Sequence, residues 1–139
     1  MAGVQTLSST AQQNTLNVSV TREKWGVGFS QGANAIRITS GINKVIASGQ
    51  VYFFENVGTS NSSLTMTINK NSEQMILVNR RTGNTGNYQT FPLGTMVFDV
   101  QEGDIISLTA RNQTVANCTV GANVANTWLQ LIGLRVPTE

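Results

Sequence analysis

Asp99, Glu102 and Asp104 fall within the six residues DVQEGD, the densest group of carboxylates in the chain. Hard cations such as calcium are held by carboxylate and carbonyl oxygens, so a calcium loop is one reading. The other is a hairpin turn in which Gly103 supplies the unusual backbone angle and Asp104 binds nearby amides. The spacing lacks the denser D-x-D-x-D pattern, which favours the turn. Other chemistry is thinly provided for. The chain has no histidine, the commonest general base and metal ligand, and this removes serine and cysteine triads of the usual kind. The remaining acids, Glu23, Glu55, Glu73 and Glu139, offer no pair suited to flanking one scissile bond. GNTGN at 83–87 has the glycines of a phosphate loop but no following helix and no Lys-Ser or Lys-Thr. Cys118 is the single cysteine, so an internal disulfide and a cysteine metal cluster are both impossible, and it reads as a small buried hydrophobe. The expectation is a protein that is not an enzyme and needs no cofactor or metal.

Binding chemistry is better represented. The stretch NRRTGNTGNYQTF, 79–91, combines Arg80, Arg81, three asparagines including Asn84 and Asn87, Tyr88 and Phe91 in a glycine-softened loop. Guanidinium forks and amide groups suit sugar hydroxyls or carboxylated sugars, and an aromatic ring stacks on the apolar face of a sugar. Arg80, Arg81, Asn84, Asn87 and Tyr88 are therefore the candidate ligand-binding residues, with an uncommitted solvated loop as the plain alternative. ENVGTSNSS, 55–63, is a second polar tip without an aromatic residue. Trp25 and Trp128 sit beside alternating apolar residues and read as core before they read as sugar platforms.

The elements that must carry these loops are strands. LNVSV (16–20), AIRI (35–38), LTMTI (64–68) and MVFDV (96–100) alternate apolar and polar residues with period two, and turn-forming clusters such as GTSNSS, NKNSE, QEGD and TVGAN separate such runs. Nothing longer than a turn or two has helical periodicity. Regular short strands of this kind predict an all-β antiparallel sandwich of the jelly-roll type, with about 8–10 strands. The expected organisation is a flexible N-terminal arm over 1–13 and a single jelly-roll domain over 14–139.

Two stretches depart from simple alternation. In GQVYFFENVG, 49–58, Val51, Tyr52, Phe53 and Phe54 are consecutive, so a strand there sends large apolar groups to both faces. NTWLQLIGLRV does the same, with Trp128, Ile132, Leu134 and Val136 on one face and Leu129 and Leu131 on the other. One face of each fills the sandwich, and the second must meet a covering loop or another chain. Each large side chain left in water forgoes roughly 1.5–3 kcal/mol. Tyr52, Phe53, Phe54, Leu129 and Leu131 are accordingly the expected residues of an oligomer interface.

Composition narrows the partners. Charged residues make up 12% of the 139-residue chain, about half the usual share. The net charge is +2 and the nine basic residues are scattered, which argues against nucleic acid. No run is long enough to span a membrane, and MAGVQTLSSTAQQ has neither the basic flank nor the apolar run of a signal peptide. The sequons at Asn17, Asn61, Asn112 and Asn117 then read as by-products of an Asn- and Thr-rich composition.

GQVYFF (49–54), TMTINKNSEQMI (65–76), VQEGDIISLTA (100–110) and ANTWLQLIGL (125–134) occur in an order that resembles the tumour-necrosis-factor-like jelly roll, in the branch containing the globular heads of complement-type proteins. The match covers roughly 25–136. Ser72 stands where that family has a turn glycine, and Trp128 replaces its usual phenylalanine pair. The resemblance implies a homotrimer that binds other molecules and does no chemistry. Together these readings lead to an adhesion or receptor-binding head of a phage or viral fibre, binding a host-surface glycan or protein. It would be assembled in the host cytoplasm and carried on the virion surface, tail fibre or baseplate, or otherwise on a bacterial cell surface. The alternative is a capsid-decoration or baseplate module that binds only other virion proteins.

Overall fold

A computed structural model describes residues 5–7, 13–16, 28–32, 34–55, 62–82, 89–113, 118–120 and 127–138. Eleven antiparallel strands run through them: β1 (Gln5–Leu7), β2 (Gln13–Thr15), β3 (Phe29–Gln31), β4 (Ile36–Ile38), β5 (Lys44–Glu55), β6 (Ser62–Lys70), β7 (Glu73–Thr82), β8 (Gln89–Asp99), β9 (Ile105–Asn112), β10 (Cys118–Val120) and β11 (Trp128–Leu134). In the first sheet β5 is the spine. It pairs with β8 along one edge and with β11 and then β10 along the other, and β10 carries β1. The second sheet runs β3-β4-β9-β6-β7, with β2 also paired to β9.

The alternation read in the sequence becomes the core. Leu64, Met66 and Ile68 of β6 and Ile106, Leu108 and Ala110 of β9 face Val45, Ala47, Val51 and Phe53 of β5, all buried. Phe53 meets Phe91 edge-on, ring centroids 5.7 Å apart. The ladder between β5 and β8 slips by one residue between Gly49 and Gln50, beside Gly94 at φ +84° on β8. Such a bulge bends the strand and calls for a residue tolerant of positive φ.

The N-terminal stretch differs from expectation. Residues 5–7, assigned to a flexible arm, form β1 against Cys118–Val120, and Leu7 is fully buried. The pattern there is too short to be visible as periodicity. It is fixed by distant partners instead: buried Asn112 donates from Nδ2 to the Leu7 carbonyl at 3.1 Å. The same bond holds Asn112 inside the protein, where no glycan could be attached.

The strand directions gather loops by end. The strand ends Leu7, Gln13, Glu55, Ser62, Thr82, Gln89, Asn112 and Cys118 lie at one end, called here the loop end. The tight β6–β7 and β8–β9 turns lie at the other, the turn end.

Candidate binding end and assembly face

The turn end uses its carboxylates structurally. Asp104 is buried, and its two oxygens accept from Asn71 Nδ2 at 3.0 Å and from the Gln101 amide at 2.9 Å. Gly103, at φ +93°, donates its amide to the Ile38 carbonyl. Asn71 takes the left-handed conformation, φ +56°, at the β6–β7 corner, and its Oδ1 accepts from the Ile105 amide at 3.0 Å. Asp99 instead pairs with Lys44. The Lys44 hydrogen bond, then its charge, hold the Asp99 carboxyl below its ordinary value, with a smaller pull from Lys70. DVQEGD thus behaves as the turn reading requires, and its three acids do not converge; among the described residues no three metal-ligating side chains come together.

Charge is distributed unevenly between the two ends. At the turn end Arg37, Lys44, Lys70 and Arg135 face Glu73, Asp99, Glu102 and Asp104, four bases against four acids. At the loop end the described charged residues are Arg80, Arg81, Arg111 and Glu55, three bases against one acid. The positive excess of the described chain therefore sits where the loops are.

Arg80 and Arg81 end β7 at the loop end, in register with Leu64 and Ser63, and Arg80 is exposed. Asn84, Asn87 and Tyr88 lie outside the described residues. Phe91, included in the same stretch by the sequence reading, is core rather than loop. Arg111 was not singled out from the sequence; only the register of β9 on β6 brings it across from Thr65, whose other register partner is Asn79. A lone arginine in an alternating strand carries no signal by itself.

The outer face of the first sheet is the second feature. Register places Val97, Ile46 and Ile132 side by side across β8, β5 and β11. Val97 and Ile132 are 53% and 49% exposed. Half-buried Tyr52 and Trp128 occupy the same face toward the loop end. This alters the expected interface. Phe53 is fully buried in its own core and has no surface to offer a partner, while the side chain of Phe54 lies outside the description. Leu129 and Leu131 face inward and pack against the core because their partners on β5 are Gly49 and Ala47, whose small size leaves room for leucine. Of the five, Tyr52 keeps an outward position. The outward apolar residues of β11 are those of the opposite parity, Ile132 among them.

No family model matches the sequence, and no curated protein matches it. Solved structures do. Murine APRIL superposes with a TM-score of 0.65 at 17% identity, covering 94% of this chain and 98% of that one. Eiger TNF from S. frugiperda gives 0.61 at 12% identity, over 99% and 88%. Vertex protein P5 of PRD1 gives 0.51 at 12% identity, over 85% and 87%. The chain has the tumour-necrosis-factor-like jelly-roll fold, as the ordered motifs implied.

Proposed function

We propose that this chain is a non-enzymatic head that assembles as a homotrimer through the outer face of its first sheet and binds a host-surface glycan or receptor with its loop end. The observation that carries the reading is the separation of the two surfaces. An uncharged apolar row crosses one sheet, and the unbalanced arginines sit at the end where the loops gather. Burying Val97, Ile46 and Ile132 against sister subunits recovers the transfer energy forgone in water, roughly 1.5–3 kcal/mol for each side chain fully buried. A symmetric ring around that face directs every loop end the same way.

The likeness to a vertex protein favours a virion surface as the setting, and a fold shared with the two tumour-necrosis-factor-type proteins is compatible with receptor binding. The same vertex-protein likeness supports the second reading, a structural module binding only virion proteins. Light scattering at micromolar concentration tests assembly, with a threefold mass expected and a monomeric mass overturning it. Binding of the intact oligomer to host cells or a glycan array tests the head. No binding there, with particles that require the protein for assembly, would establish the structural module instead.

A further inference from the structure

Among the described residues, two buried polar side-chain atoms lack hydrogen-bond partners, and they belong to neighbouring residues. Thr65 is 8% exposed and its Oγ1 is unpartnered, and the half-buried Arg111 has an unpartnered, buried Nε. The two residues are direct register partners between β6 and β9, so their side chains share the outer face of the second sheet. Asn79, on the other side of Thr65, accepts from Ser63 Oγ at 3.0 Å through its Oδ1. Its amide nitrogen has no partner among the described residues. The described acids are remote in register: Glu73, Asp99, Glu102 and Asp104 lie at the turn end, and Glu55 lies on the other sheet.

Buried polar groups in folded proteins are almost always satisfied, and an orphan calls for a physical reason, an ordered water or ion among them. A guanidinium with no carboxylate near it among the described residues, beside a buried hydroxyl that can donate, selects an anion over a neutral group. Thr65, Asn79 and Ser63 around it are hydroxyls and amides, with none of the aromatic anchors that dominate protein interfaces. We propose that Arg111, Thr65 and Asn79 form a carboxylate-binding site for an acidic saccharide, with the carboxylate accepting from Arg111 and Thr65 and a sugar hydroxyl accepting from Asn79. The site deepens the receptor-binding reading above and rests on it for the ligand class. It adds a sheet-face contact to the loop residues, since Arg81 follows two positions after Asn79 on the same strand.

The test is an amide-shift NMR titration of the intact protein with glucuronic acid, with glucose as the neutral control and an aspartate-rich peptide as the rival. The expected result is saturable shifts at Thr65, Asn79 and Arg111 with glucuronic acid alone. Arg111→Gln is expected to weaken binding about tenfold or more, and Thr65→Val about threefold. Arg111→Lys should fall between wild type and Arg111→Gln, because the charge survives and the fork does not. Melting curves check that each variant folds; if Arg111→Gln does not, Thr65→Val and Asn79→Ala carry the comparison. Equal shifts with glucose, binding of the peptide alone, unchanged affinity in the variants, or an ordered water as the site's sole occupant would each overturn the proposal. A blank titration with normal host-cell binding removes this site and leaves the head standing. Glucuronic acid bound at Arg111 without any cell binding keeps the site and removes the head.

Discussion

At the scale of single residues, the turn end shows how few charges this protein spends on stability and how locally each acts. Lys44 depresses the Asp99 carboxyl, so ionised Asp99 is favoured in the folded state. A depressed folded value means that the contribution is fully present above the ordinary 3.8 and is lost as pH falls through the lower folded value. Asp99 is largely exposed, so solvent keeps that contribution small. Lys44→Met is expected to raise the Asp99 carboxyl toward 3.8 in a carboxyl NMR titration while hardly moving the melting temperature near neutrality. An Asp99 titration unchanged by the substitution would refute the Lys44 assignment. Asp104 is the contrasting case, buried and bonded on both oxygens. Asp104→Ala strands the Gln101 amide and the Asn71 side chain, and is expected to cost about 1–3 kcal/mol in chemical denaturation. Added calcium should leave that stability where it was, since the carboxylate oxygens of Asp104 are already committed to the turn.

At the scale of elements, much of the sandwich was legible because one-sided burial imposes period two, and the period is local. LTMTI emerges as β6 with Leu64, Met66 and Ile68 inward, and the both-sided runs 51–54 and 128–134 emerge as β5 and β11. The orientation of β11 was not legible. Alternation separates two faces without saying which is inside, and that was decided by Ala47 and Gly49 on a strand some eighty residues away. For the same reason Arg111 was missed, since its significance is a register partnership with Thr65. Nor was the outer face of β6 what its threonines implied. Thr67 and Thr109 are hydrogen-bonded to each other and buried, and Asn69 Nδ2 donates to both, at 3.2 and 3.1 Å. Two substitutions on adjacent residues of β5 separate the inward and outward roles. Phe53→Ala removes a fully buried ring packed on Phe91 and is expected to lower stability by about 3–5 kcal/mol. Tyr52→Ser, on the outer face, should lower stability less and weaken self-association more, as read by denaturation and sedimentation on the same samples. If Phe53→Ala proved the milder of the two, the inward assignment of Phe53 would be wrong.

At the scale of the whole molecule, the apolar row and the arginine-bearing end make different demands on an assembly, and one geometry meets both. Strands of the first sheet run from the turn end to the loop end, so copies packed through the outer face of that sheet, about an axis along the strands, present their loop ends side by side. Each loop end brings its own excess of arginine, and engagement of one copy raises the effective ligand concentration for the others. Such linkage multiplies affinity by roughly 10²–10⁴ without any new contact. Ile132→Lys puts a charge at the β11 end of the row, one strand spacing from Ile46 and two from Val97. The lysine is well tolerated by an isolated sandwich, because position 132 is already 49% exposed, but not by a buried apolar contact. The variant is therefore expected to sediment as a folded monomer with a near-normal melting profile. Its binding to a soluble monovalent saccharide should match that of the parent, whereas its binding to a densely coated glycan surface should fall by at least about tenfold. Equal loss on both would mean that the face contributes directly to the ligand site. No loss on the dense surface, in a protein shown to be monomeric, would mean that the loop ends act singly and that assembly serves the particle and not recognition.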